Sequence, residues 1–105
     1  MKFFVLGLSI FVVLLLFGCL QATVAEQSDY SQKCINQCKM IKDNGTDLSS
    51  GPCLGLIATD WVCDVAHTPR LAVDNLPANQ CVDFANGKAH HFVEVDEACA
   101  FINSQ

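Results

Sequence analysis

The feature that most constrains this chain is its set of cysteines, Cys34, Cys38, Cys53, Cys63, Cys81 and Cys99, all placed after an apolar leader. A seventh, Cys19, stands at the end of that leader. Six cysteines in a short exported domain imply three disulfides. The intervals between them, 3, 14, 9, 17 and 17 residues, match no zinc site built from paired C-x-x-C knuckles. Bridges are also what a chain this short needs. One hydrophobic core of this size rarely supplies more than roughly 3–5 kcal/mol of net stability, and each bridge adds about 2–4 kcal/mol by restricting the unfolded chain. A single domain over residues 26–105 that folds only when oxidised is therefore expected.

Export is argued by the N-terminus. Lys2 is followed by an uncharged, predominantly apolar run from Phe3 to Phe17 and then by small residues at Gly18 and Cys19, the pattern of a secretory signal. The run is shorter than the roughly 20 residues a spanning helix needs, although continuing it to Leu20 reaches the lower limit for an uncleaved anchor. Two exits are open. Thr23-Val24-Ala25 offers ordinary cleavage, which makes residues 1–25 the signal. Leu16-Phe17-Gly18-Cys19 resembles the prokaryotic lipobox, with Phe17 departing from its usual small or β-branched residue. That resemblance implies a signal of residues 1–18 and lipidation of Cys19. In both schemes Cys19 leaves the disulfide pool, and the polar stretch from Gln21 to Ser31 reads as a tether.

Charge narrows the partners. Without Lys2 the remaining chain has 5 basic and 11 acidic residues, a net of −6 with histidine neutral. Scattered acids repel nucleic acid and anionic headgroups, so the expected partner is a protein or small molecule, with membrane contact only through the leader or a lipid anchor. No sequence pattern implies a cofactor.

Along the domain, Asp29 is placed to cap a helix through YSQKCINQCKMI, on which Tyr30, Cys34, Cys38 and Ile41 share one stripe and which Asn44-Gly45 stops. Cysteines one helical turn apart have Cβ atoms about 5–6 Å from each other, too far for a disulfide. Cys34 and Cys38 should therefore bond elsewhere, which leaves 12 of the 15 possible connectivities. Asn44-Gly45-Thr46 is also a glycosylation acceptor pattern, read here as a plain turn.

The most apolar part of the domain is CLGLIATDWVCDVAHTPR. As a helix its second half would align Asp60, Asp64 and His67 as metal-ligand types; as a strand it would turn Trp61, Cys63 and Val65 to one side. The valines and the pre-proline Thr68 favour the strand. From Asn75 to Gly87 a short helix is expected, with Pro77 in its first turn, Cys81 as a staple and Phe84 and Ala85 facing inward. The alternating stretch KAHHFVEV then makes a half-buried strand, with Ala89, His91, Val93 and Val95 on one face and His90, Phe92 and Glu94 on the other, and Cys99 to Ile102 returning beside it. Adjacent histidines on opposite faces do not share a metal. His90 with Glu94 is the conceivable metal pair on this strand.

Cys63-Asp64-Val65-Ala66 together with His91-Phe92-Val93-Glu94-Val95 resembles the transglutaminase-like cysteine enzymes, in which a cysteine opens a helix and a histidine opens a strand reading roughly H-x-W-x-E-V. The resemblance implies Cys63 as nucleophile and His91 as its activator in acyl transfer or peptide hydrolysis. Phe92 stands where that pattern has tryptophan, and a free Cys63 would leave another cysteine without a partner.

The sequence thus argues for an α+β domain, one or two short helices on a small antiparallel sheet, stapled by three disulfides. Its expected role is an exported or cell-surface binding module of unknown ligand. The candidate presented surface is the loop from Thr68 to Asn79, carrying Arg70, Asp74 and Asn75 between two prolines. Replacing Arg70 and Asp74 is expected to leave stability unchanged.

Overall fold

The structure is a computed structural model that describes residues 27–105. The leader, both cleavage sites and Cys19 lie outside the described residues.

The chain is helical over residues 27–43 (α1). Asp29 lies within this helix rather than capping it, and pairs with Lys33 one turn on at 3.3 Å. The predicted stripe is the buried face: Cys34 and Cys38 are fully buried, and Tyr30, Ile35 and Ile41 pack beside them. The turn at Asn44-Gly45 ends the helix, with Gly45 at φ 89°, a left-handed conformation natural to glycine.

Four strands follow among the described residues: β1 (Cys53–Ala58), β2 (Trp61–Val65), β3 (His91–Val95) and β4 (Phe101–Ser104). They form one sheet in chain order, β1-β2-β3-β4. The α+β class is as expected, but the sheet is mixed. The β1–β2 and β3–β4 pairs are antiparallel, while the central β2–β3 pair runs parallel. A parallel pair needs a crossover, and residues 66–90 supply it. The single helix expected from Asn75 to Gly87 is broken there into 3-10 turns at Ala72–Asn75 and Pro77–Asn79 and one short helix, α2 (Val82–Ala85). The reason is local. Pro77 forces Leu76 into an extended conformation, ψ 136°, and Gln80 is extended at ψ 146°, so helical hydrogen bonding cannot run through either. Phe84 and Ala85 are exposed, although Phe84 rests edge-on against Phe92 at 5.1 Å between centroids.

Strand alternation then finishes the two faces differently. Trp61, Cys63, Val65, Val93 and Val95 turn toward α1 and form the main core with Leu48 and Cys99. Val62 and Phe92 point the other way and pack with Cys81 and Ala89 of the crossover. Three disulfides staple this arrangement: Cys34–Cys63, Cys38–Cys99 and Cys53–Cys81. As the one-turn spacing required, Cys34 and Cys38 bond to different strands or turns. The first two bridges lie under α1 and the third lies on the opposite face.

Candidate functional site

The sheet register builds a row of side chains across the outer face. Cys53 of β1 pairs with Asp64 of β2, Asp64 with Glu94 of β3, and Glu94 with Asn103 of β4. Neighbouring strands are about 4.8 Å apart, so this row sets two carboxyl groups side by side. Like charges directly opposite one another are destabilising. The crossover answers half of that problem. Arg70 donates from Nη1 to Glu94 Oε2 at 2.9 Å, and is itself positioned by its Nε–H bond to Asn75 Oδ1 at 2.8 Å and an Nη2 contact to the Asp74 carbonyl at 3.4 Å.

Asp64 receives no such partner. Its side chain is buried, with the residue 9% exposed, and Oδ1 accepts no hydrogen bond. Burial first, and the Glu94 carboxylate second, push its pKa up to about 7. It faces a cavity of about 140 Å³ walled by Val62, Phe84 and Phe92, with Arg70, Gln80, Cys81 and Glu94 completing the lining. A buried carboxyl group with one oxygen unpartnered, set in a recess with two aromatic walls, is the one place among the described residues where a buried side-chain polar atom beside a cavity lacks a hydrogen bond.

The residues singled out from the sequence are distributed otherwise. Cys63 is fully buried and bonded to Cys34, and a sulfur in a disulfide presents no thiolate. His91 stacks on Trp61 at 4.6 Å, and Trp61 on Tyr30 at 4.3 Å, a three-ring column along the α1 side. His90 and Glu94 are not brought together: His90 Nδ1 lies 2.6 Å from Asp60 Oδ1, whereas Glu94 binds Arg70. Asp60 turns the β1–β2 hairpin at φ 71° and also accepts the His90 backbone N–H at 2.8 Å; the bond with the His90 ring first, and this N–H after it, hold its carboxyl below the usual range. It thereby pins the start of β3 to the hairpin.

Arg70 lines the cleft and is held there in part by Asn75, and Asp74 is turned inward. Asp74 is 2% exposed; its Oδ2 accepts the N–H groups of His67 and Leu71 at 3.1 and 2.8 Å, and its Oδ1 meets His67 Nδ1 at 2.8 Å. Gly51 exists for this carboxylate: at φ +72°, it leaves room where any Cβ would collide with Asp74 Oδ1. Burial alone would raise the Asp74 pKa, but the bonds from Leu71 and His67 outweigh it and hold it low, while the bond to Asp74 raises that of His67. Asp74 is therefore a structural strut, and the expectation that its replacement is harmless is corrected.

The sequence reading missed the Asp64–Glu94 pair because it depends on a parallel register between strands 30 residues apart. One signal was present: Asp64 is the lone acid within the apolar run WVCDVA. The chain matches no protein-family model, no curated protein and no solved structure. Its three disulfides suit an oxidising, extracellular setting, and no helix among the described residues is long and apolar enough to cross a membrane.

Proposed function

We propose that this is an exported binding module whose ligand site is the Asp64 cleft, and that its ligand is a small amphipathic amine. The observation that carries this reading is the buried, unpartnered Asp64 Oδ1 at the end of a recess walled by Phe84 and Phe92. An ammonium group brought to Asp64 would supply the missing donor and shift the carboxyl to its ionised form. The ligand's apolar body would lie against the two rings, with Glu94 adding negative potential and Arg70 at the exposed rim limiting it. Two carboxyl groups against one guanidinium favour a cation over an anion. The volume admits a single ring or a short chain and excludes a peptide side laid in extended form.

The test uses phenethylamine as probe, with benzoate as the anionic control, followed by amide chemical shifts of the oxidised protein. The expected result is saturable shifts at β2, β3 and α2 for the amine alone, lost in Asp64→Asn. Equal shifts with benzoate, or amine binding unchanged in Asp64→Asn, would overturn the reading.

A further inference from the structure

The third disulfide differs from the other two in ways the ligand reading does not use. Cys34, Cys38 and Cys63 are fully buried and Cys99 is 3% exposed, all beneath α1. Cys53, by contrast, is only partly buried, and with Cys81 it lines a second recess of about 380 Å³ on the other side of the bond. A β-bulge at Leu54–Gly55 sets Cys53 in that position, and the Gly55 N–H points at its Sγ at 3.3 Å. Cys81 alone of the pair also lines the Asp64 cavity. A carboxyl oxygen of Asp64 lies within 4.8 Å of both sulfurs. The bridge therefore stands between two openings, one exposing Cys53 and the other placing a carboxyl group beside Cys81.

From this geometry we infer that Cys53–Cys81 is an exchangeable disulfide that reacts with small thiols, with Asp64 as the proton donor to the departing Cys81 sulfur. The incoming thiol loses its proton to solvent, and its thiolate attacks Cys53 Sγ from the second recess. A new sulfur–sulfur bond forms at Cys53 as the Cys53–Cys81 bond breaks, and the electron pair of that bond leaves on Cys81. Cys81 is 5% exposed, so a bare thiolate there is poorly solvated. The protonated Asp64 carboxyl hands its proton to that sulfur, giving a Cys81 thiol and an aspartate that regains a proton from solvent. The net change is one thiol plus one disulfide converted to one mixed disulfide plus one thiol.

The groups facing Asp64 set when it holds that proton. Glu94 on β3 and Asp74 in the crossover favour the protonated form, and Arg70 opposes it. With Asp64 titrating near neutrality, the donor is present at and below neutral pH and absent above it. No occupant of the cleft is needed for this chemistry, so it stands or falls apart from amine binding.

The experiment exposes the native oxidised protein to 2-mercaptoethanol without denaturant, then alkylates and locates modified cysteines by peptide mass. The expected first product carries the thiol on Cys53 and the alkyl group on Cys81, with the other four cysteines still bonded. Opening of Cys34–Cys63 or Cys38–Cys99 at the same rate, or the adduct on Cys81, would overturn the assignment of the bond. The rate per thiolate is then followed against pH. In the wild type it should fall as pH rises through neutrality, and in Asp64→Asn it should be flat and on the order of tenfold lower at the acidic end. An identical profile in the two proteins, both verified as folded by their amide spectra, would overturn the role of Asp64 while the wild-type mapping still decides the role of the bond.

Discussion

On the α1 side of the sheet, Cys63, Val65, Val93 and Val95 are closed off by a helix that contributes two cysteines and the Tyr30 end of an aromatic stack, and among the described residues no buried polar side chain is left unpartnered there. On the outer side, the same strands present Asp64 and Glu94, and the cover is an irregular crossover that satisfies one of the two and leaves the other open to a cavity. One face is finished for stability. The other departs from that pattern at a carboxyl, an accessible disulfide and a bulge that lie together, and local departures of this kind are where function is sought.

Cutting one bridge on each face sharpens the contrast most. Cys34–Cys63 and Cys53–Cys81 close loops of nearly equal length, with separations of 29 and 28 residues. Their chain-entropy contributions are therefore the same, about 3.5 kcal/mol. Any difference between the double alanine variants reports packing. C34A/C63A also removes two fully buried sulfurs from the main core and should cost about 5 kcal/mol or more, enough to abolish folding, whereas C53A/C81A should remain folded at a loss of about 3.5 kcal/mol. Urea titration of both variants checks this, and equal losses would erase the distinction between the faces.

The crossover that covers the outer face depends on a strut rather than on a core. Asp74→Ala would strip acceptors from the N–H groups of His67 and Leu71 and from the His67 ring, and would loosen the segment that carries Arg70. A loss of about 3 kcal/mol is expected, with hydrogen exchange accelerated across residues 67–80 and unchanged in α1. Uniform acceleration would show that the two faces do not open separately.

These elements differ in how legible they were. The helix stripe through Cys34, Cys38 and Ile41, the β2 face of Trp61, Cys63 and Val65, and the alternation of β3 all rest on local periodicity, which a sequence carries directly. The parallel β2–β3 register is a long-range fact, and the cleft follows from it: Asp64 meets Glu94 only because the crossover returns the chain in the same direction. Asp74 looked like a loop surface residue because it stands beside Asn75 in a segment bounded by Pro69 and Pro77. What buries it is a carboxylate-sized space opened by Gly51, more than 20 residues earlier, and nothing local to Asp74 announces that. The two cysteines of the outer-face bridge, Cys53 and Cys81, were likewise indistinguishable from Cys63 until the fold separated them.

The smallest effect expected is a pH dependence that joins the two sites. Asp64 has its pKa raised in the folded state, so between its unfolded value near 4 and its folded value of about 7 the unfolded chain gives up a proton that the native protein keeps. Raising the pH through that window therefore destabilises the fold. His67 acts in the same direction: the stability from its bond to Asp74 is complete below its unfolded pKa near 6.5 and fades as pH rises through its higher folded value. Asp74 acts oppositely, its contribution being present above about pH 4 and lost as pH falls through its lowered folded value. Maximum stability should thus lie at about pH 4, where the Asp74 contribution is largely established and the Asp64 loss is only beginning. From there to about pH 8 the Asp64 part of the loss should be about 2 kcal/mol, less than the full shift implies because the cleft opens to solvent. In Asp64→Asn that part should vanish while the His67 part remains, so thermal unfolding across this range should show a shallower alkaline decline. A decline of unchanged steepness would mean that the outer-face carboxyl is already satisfied, and the contrast between the two faces would lose its chemical half.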